Sequence, residues 1–128
     1  MSYPVTDFLI RIKNGYLAGR KSISSPSSKM RVSLAELMKR YGYITNYSID
    51  ETGNKIINVQ LSYEGKIPNF TDLKIFSKPG RRLYEKASTL PWGKTPKSLI
   101  IISTSKGLMS QKEAVVKGLG GEIIAEIY

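Results

Sequence analysis

Apolar residues recur with helical spacing at the start of the chain. Phe8, Leu9, Ile12 and Tyr16 fall at steps of one, three and four and so share one face, with Arg11 and Lys13 off it. Thr6 or Asp7 can serve near the N-terminus as cap or first-turn acid, and Gly19 can stop the helix, which predicts a helix over Val5 to Gly19. A short strand over Lys21 to Ser25 follows. Met30, Leu34, Leu37, Met38 and Tyr41 restore the helical period, with Ser27 or Ser28 as cap and Gly42 as terminator. From Ile44 the period shifts towards two. Tyr43–Ile49, Ile56–Tyr63 and Asp72–Phe76 read as strands, the first two joined in a hairpin by Thr52-Gly53-Asn54. In the second strand Ile57, Val59, Leu61 and Tyr63 alternate with polar residues, so one face packs, covered by the two helices, and the other meets water.

Ser77-Lys78-Pro79-Gly80-Arg81-Arg82 is a basic turn and the best candidate boundary. Beyond it come a short strand over Arg82–Lys86 and a loop over Leu90–Lys97, punctuated by two prolines and a glycine. An apolar strand follows, Leu99-Ile100-Ile101-Ile102, breaking into Ser103-Thr104-Ser105-Lys106-Gly107. Ser110-Gln111-Lys112-Glu113 matches a capping box that opens a short helix closed by Gly118, and Ile123 to Tyr128 reads as an alternating final strand. The expected fold is α+β, built from two small packed α/β halves. Residues 1–77 form an N-terminal half of order αβαβββ, and residues 78–128 a mostly-β half with one short helix.

Charge changes this picture. The 128 residues carry a formal net charge of +10, which points to phosphate or an anionic membrane as partner. Eight basic and two acidic side chains fall in residues 1–40 and again in 66–97, whereas residues 98–128 carry three of each. Affinity is therefore expected from the first helix pair and the central turn, and selectivity from the neutral hydroxyl loop, because phosphate contacts position a protein while contacts to base edges and sugars specify the site. With no Cys and no His, disulfides and thiolate metal sites are excluded and the commonest general base and zinc ligand are missing. No apolar run approaches the roughly 18 residues of a membrane span. The stretch Met1 to Asp7 lacks a secretory pattern. A cytoplasmic location is the default, with an organellar origin left open.

Several motifs admit two readings. Ser103 to Lys106 fits the Ser-x-x-Lys pattern of acyl-enzymes, but neither the second Ser motif nor a Lys-Thr-Gly strand accompanies it, so no enzyme and no cofactor are expected. Gly118-Leu119-Gly120-Gly121 lacks the dinucleotide spacing and follows a helix, which favours a C-cap and tight turn. Ser27, Ser28 and Lys29 either cap the second helix or face a phosphate there. Tyr84, beside Arg81 and Arg82, is either a base-stacking ring or an ordinary sheet tyrosine. Glu122 either orders Ser or Lys side chains, accepts from a base amino group, or is a solvated strand-start charge. Eight Tyr against three Phe tilt the aromatics slightly towards surface use.

Pro26-Ser27-Ser28-Lys29, Lys78-Pro79-Gly80-x-Arg82-x-Tyr84, Ser103-Thr104-Ser105-Lys106-Gly107-Leu108-Met109 and Gly118-Leu119-Gly120-Gly121-Glu122 occur in that order, after Asp7-x-Leu9-x-Arg11-Ile12-x-Asn14-Gly15. Together they resemble the bacterial-type small-subunit ribosomal protein family eight over nearly the whole chain. The resemblance implies a non-catalytic protein that binds the central domain of 16S-type rRNA, helps the 30S platform assemble beside neighbouring small-subunit proteins, and in many bacteria represses its own operon mRNA. It also implies that Ser103, Thr104, Ser105, Lys106, Gly107 and Glu122, with Gly120 and Gly121 bringing the acid close, meet the RNA minor groove. Tyr84 would join them, and Ser27, Ser28 and Lys29, with Lys78 and Arg82, would supply contacts from elsewhere. The competing reading is a binder of anionic membranes or acidic proteins acting through the basic helices.

Overall fold

A computed structural model describes residues 3–128, so Met1 and Ser2 of the opening stretch lie outside it. The first helix, α1, runs Tyr3–Leu17, and its predicted apolar face is buried without exception at Phe8, Leu9, Ile12 and Tyr16. Strand β1 spans Ser22–Pro26 and helix α2 Lys29–Arg40. The Ser28 hydroxyl caps α2 by accepting from Arg31 N at 3.2 Å, which satisfies one of the free donors of the first turn. Strands β2 (Ile44–Asp50) and β3 (Ile56–Leu61) form the expected hairpin, and the sheet order is β1-β3-β2. Ile57, Val59 and Leu61 point into the core, covered by α1 and α2. Two short strands that local pattern did not reveal, β4 (Tyr63–Glu64) and β5 (Ile67–Pro68), make a small hairpin of their own.

The second sheet is assembled from distant pieces. Strand β6 (Leu73–Ile75), expected in the first half, pairs with β10 (Gly121–Ile127) in the second sheet, because its partners lie some fifty residues away and leave no local trace. Strand β7 is Tyr84–Glu85, followed by a 3₁₀ turn at Ala87–Thr89. Strands β8 (Leu99–Thr104) and β9 (Gly107–Ser110) form a hairpin, and helix α3 (Gln111–Lys117) follows. The capping box is present: Ser110 Oγ accepts from Glu113 N at 3.2 Å, and Gly118 closes α3 in the left-handed conformation at φ 66°.

The final strand does not alternate as expected. Residues 122–127 are all buried, because the second sheet is covered on both faces. One face, through Leu99, Ile101, Ile124, Ala125 and Ile127, joins the core of α1, α2 and the first sheet. The other, through Ile100, Ile102 and Ile123, packs with Leu90, Met109 and Ala114. The basic turn is bound to β10 as well. Buried Ser77 donates its hydroxyl to Ile123 O at 2.7 Å and accepts from Leu83 N at 3.1 Å.

Several tyrosine hydroxyls stitch the elements together. Tyr16 donates to Tyr43 O at 2.5 Å and accepts from Ser62 N at 3.0 Å, while its ring stacks on Phe70 at 5.1 Å. Tyr41 donates to Ser110 Oγ and Tyr43 to Lys97 O, both at 2.7 Å, tying α2 and the start of β2 to the second half. Tyrosine suits such joints because its ring packs in a core and its hydroxyl reaches a main-chain group at the rim.

Removing the Tyr16 hydroxyl would strand a carbonyl and an N–H, so Tyr16→Phe should cost about 1–3 kcal/mol in urea unfolding. Burial also raises the Tyr16 pKa above the ordinary 10.0. The neutral phenol is thus favoured by folding, and its contribution is full below pH 10 and lost as pH climbs through the raised value. Tyr16→Phe should flatten the alkaline fall in melting temperature above pH 10; an unchanged alkaline slope would remove Tyr16 as its source.

Candidate nucleic-acid interface

The hydroxyl stretch is the tip of the β8–β9 hairpin, where Thr104 pairs with Gly107 across Ser105 and Lys106. Thr104 Oγ1 accepts from Lys106 N at 3.1 Å and donates to Gly107 O at 2.9 Å, so this hydroxyl shapes the turn. Gly107 rejoins the strand at φ 110°, a conformation side chains avoid. Among the described residues the Ser103 and Ser105 hydroxyls have no hydrogen-bond partner, and Ser105, Lys106 and Gly107 are exposed.

Three strands bring the other predicted residues alongside. Glu122 on β10 lies directly opposite Ser103 on β8 and opposite Tyr84 on β7. Residues opposed in this way share a face, so Tyr84, Glu122 and Ser103 form one row across the end of the sheet. The Tyr84 ring is 63% exposed. Glu122 is 5% exposed, which removes its reading as a solvated charge. Its Oε1 stands 3.8 Å from Arg82 Nη1, and its Oε2 has no hydrogen-bond partner. A buried carboxylate oxygen left in that state favours any ligand that brings an N–H or O–H.

The two glycines act by clearance and not as a tight turn; neither has a positive φ. A Cβ on Gly121 would collide with the Ser103 carbonyl, and one on Gly120 with the main chain of Glu85 and Lys86. Both are needed for β7 and β8 to close on β10. Tyr84, Gly120 and Gly121, with Glu85, Lys86 and Thr89, line a shallow concavity of about 600 Å³. Thr89 carries no periodic signal because it closes a 3₁₀ turn, and Lys86 reads from sequence only as the end of a short strand.

The other predicted residues lie elsewhere. Ser27, Ser28 and Lys29 line a separate concavity with Val32, Ser33, Ile49, Glu51 and Lys55. Ser28 acts there as the cap, Lys29 is exposed, and the Ser27 N–H donates to Lys55 O at 3.0 Å. Lys78 sits exposed in its own turn, pairing main chain to main chain with Arg81. Among the described residues no cluster of His, Cys, Asp or Glu is placed to hold a metal ion, and no helix is long and apolar enough to cross a membrane.

Comparison with known proteins places this architecture. The sequence profile of the family described as ribosomal protein S8 matches residues 3–128, so the chain belongs to the ribosomal protein S8 family, whose members are structural and non-catalytic. It is 41% identical to the small ribosomal subunit protein uS8 of Dictyoglomus turgidum, over 98% of this chain and 96% of that one. It is 38% identical to that of Erythrobacter litoralis over 100% and 98% of the two chains, and 36% to that of Corynebacterium efficiens over the same shares.

Because Gly121 touches the β8 backbone, Gly121→Ala should destabilise the fold by about 1–3 kcal/mol in denaturant unfolding. An unchanged midpoint would show that β8 and β10 are not packed this closely.

Proposed function

We propose that this protein is a primary rRNA-binding constituent of the small ribosomal subunit, acting on the central domain of 16S-type rRNA and helping its platform assemble among neighbouring subunit proteins. The observation that carries this reading is the row Tyr84–Glu122–Ser103 beside the exposed Ser105 turn. Short hydroxyls, a desolvated acceptor and a flat ring suit the wide, shallow minor groove of A-form RNA with its 2′-hydroxyls. Exposed lysines away from that row, Lys29 and Lys78 among them, supply attraction, in line with a division between holding and reading, while Arg82 stands beside the row as the partner of Glu122. Any RNA helix of the same shape would fit the same surface, which is how repression of its own operon mRNA would arise. The site of action is the ribosome, in the cytoplasm or in an organelle.

Ser105→Ala should weaken binding of a central-domain rRNA fragment by about 1–2 kcal/mol and leave unrelated RNA unaffected. Lys29→Ala should weaken both alike and flatten the salt dependence. Filter binding reads both, and a Lys29 effect confined to the cognate fragment would sink the division of roles. If anionic vesicles bind more tightly than the fragment, the membrane-surface reading replaces this one.

Tyr84→Leu should reduce RNA affinity by about 1–3 kcal/mol, the scale of one base stacked on an aromatic ring. The ring is mostly exposed, so the melting temperature should hardly move. A large thermal loss with intact affinity would assign Tyr84 to the sheet alone.

A further inference from the structure

The loop before β8 has its own chemistry. Trp92 is the chain's single tryptophan, 75% exposed, and its ring makes no aromatic or cation–π contact among the described residues. It lines a concavity of about 420 Å³ with Lys94, Gln111 and Lys112. That volume lies within the roughly 300–1,000 Å³ of sites that hold small molecules.

Two features make this a built site. The loop is pinned from every side: Glu126 accepts from Lys94 N, Ser98 Oγ accepts from Thr95 N at 3.0 Å, and Lys112 Nζ donates to Pro96 O at 3.1 Å. Gly93 packs so closely on Ser98 that a Cβ would overlap its side chain. The loop is therefore preorganised. Secondly, Gln111 is 4% exposed and its Nε2 has no hydrogen-bond partner. A buried amide nitrogen without an acceptor is a standing cost, relieved by a ligand that carries one.

We propose that this concavity is a second RNA subsite that takes one unpaired adenine nucleotide, its base stacked on Trp92 and its edge hydrogen-bonded to the Gln111 amide. An amide presents a donor beside an acceptor, the complement of an adenine ring nitrogen beside its amino group. Lys94 and Lys112 line the same concavity, Lys112 Nζ held on Pro96 O and Lys94 Nζ 4.7 Å from the Tyr128 ring centroid, so both positive charges are fixed beside it, which suits the adjoining phosphates. The exposed aromatic with flanking cations is the arrangement that single-stranded RNA uses. This extends the RNA-binding reading to a site distinct from the sheet end, and it can stand or fall separately.

The single tryptophan makes the test direct. The full chain is titrated at low salt with hexa-adenylate RNA while Trp92 fluorescence is followed. Saturable quenching is expected, with hexa-uridylate about tenfold weaker. Gln111→Leu should also weaken hexa-adenylate about tenfold at an unchanged or higher melting temperature, whereas Ser105→Ala should bind it like the parent. Trp92→Leu, an exposed change, should abolish binding of the labelled oligomer measured by anisotropy. No quenching, quenching unaltered by Gln111→Leu, or equal quenching by hexaglutamate overturns the subsite. A central-domain rRNA fragment is measured in parallel by filter binding. If the fragment binds and hexa-adenylate does not, only the subsite falls; if the reverse holds, only the sheet-end reading falls.

Discussion

Everything in the second half depends on strand β10 having partners along both edges. Strand β8 runs beside it on one side, and β6 and β7 share the other. Because β6 precedes the basic turn and β7 follows it, β10 is also what holds the turn in place, with Ser77 as the clamp. Its apolar residues reach in opposite directions. Ile124, Ala125 and Ile127 join the core of α1 and α2, and Ile123 joins the cluster under α3. Each fully buried isoleucine adds about 1.5–3 kcal/mol, so the last seven residues of strand bind both halves into one folding unit.

One irregularity in that strand sets the candidate interface. The pairing register between β10 and β8 shifts between Ile123 and Ala125, so Ile124 is an extra residue. Counting onwards without the bulge would put Glu122 opposite Thr104, whose hydroxyl is already committed to the turn. With the bulge Glu122 falls opposite Ser103, whose hydroxyl is not. Since a one-residue slip turns every side chain to the other face, the bulge decides whether acid and serine can act together. It also lets the consecutive Ile124 and Ala125 both serve the same core.

These facts explain what the sequence could reveal. Helices α1 and α2, the β2–β3 hairpin and the Ser110 capping box depend on residues within one or two turns of each other, and their spacing announces them. The serine cluster before α2 was legible as a cap for the same reason. Membership of β6 in the second sheet, the bulge at Ile124 and the burial of Glu122 all depend on partners dozens of residues away. No local period records them. Tyrosine content says little about place, because composition counts rings and not hydroxyl partners: Tyr16 and Tyr43 are buried, whereas Tyr84 is exposed. The glycines were legible as necessary but not in kind: Gly120 and Gly121 are required by what lies above their Cα atoms, which only the neighbouring strands define.

An acid at the centre of the proposed RNA-binding surface looks self-defeating, and burial resolves the paradox. An exposed carboxylate would repel phosphate and gain nothing, since water satisfies it. Glu122 is buried, Arg82 offsets its charge from 3.8 Å, and one oxygen has no hydrogen-bond partner. In the proposed site a phosphate would supply no donor and add repulsion, while a 2′-hydroxyl or base amino group would complete the oxygen. Under that proposal the penalty for the wrong partner would do the discriminating, as in other sites where an unpaired buried polar group rejects the ligand that fails to match it. That mode of selection needs no net charge, so Ser103, Ser105 and Glu122 can serve their part of the proposed reading surface although residues 98–128 carry three basic and three acidic side chains.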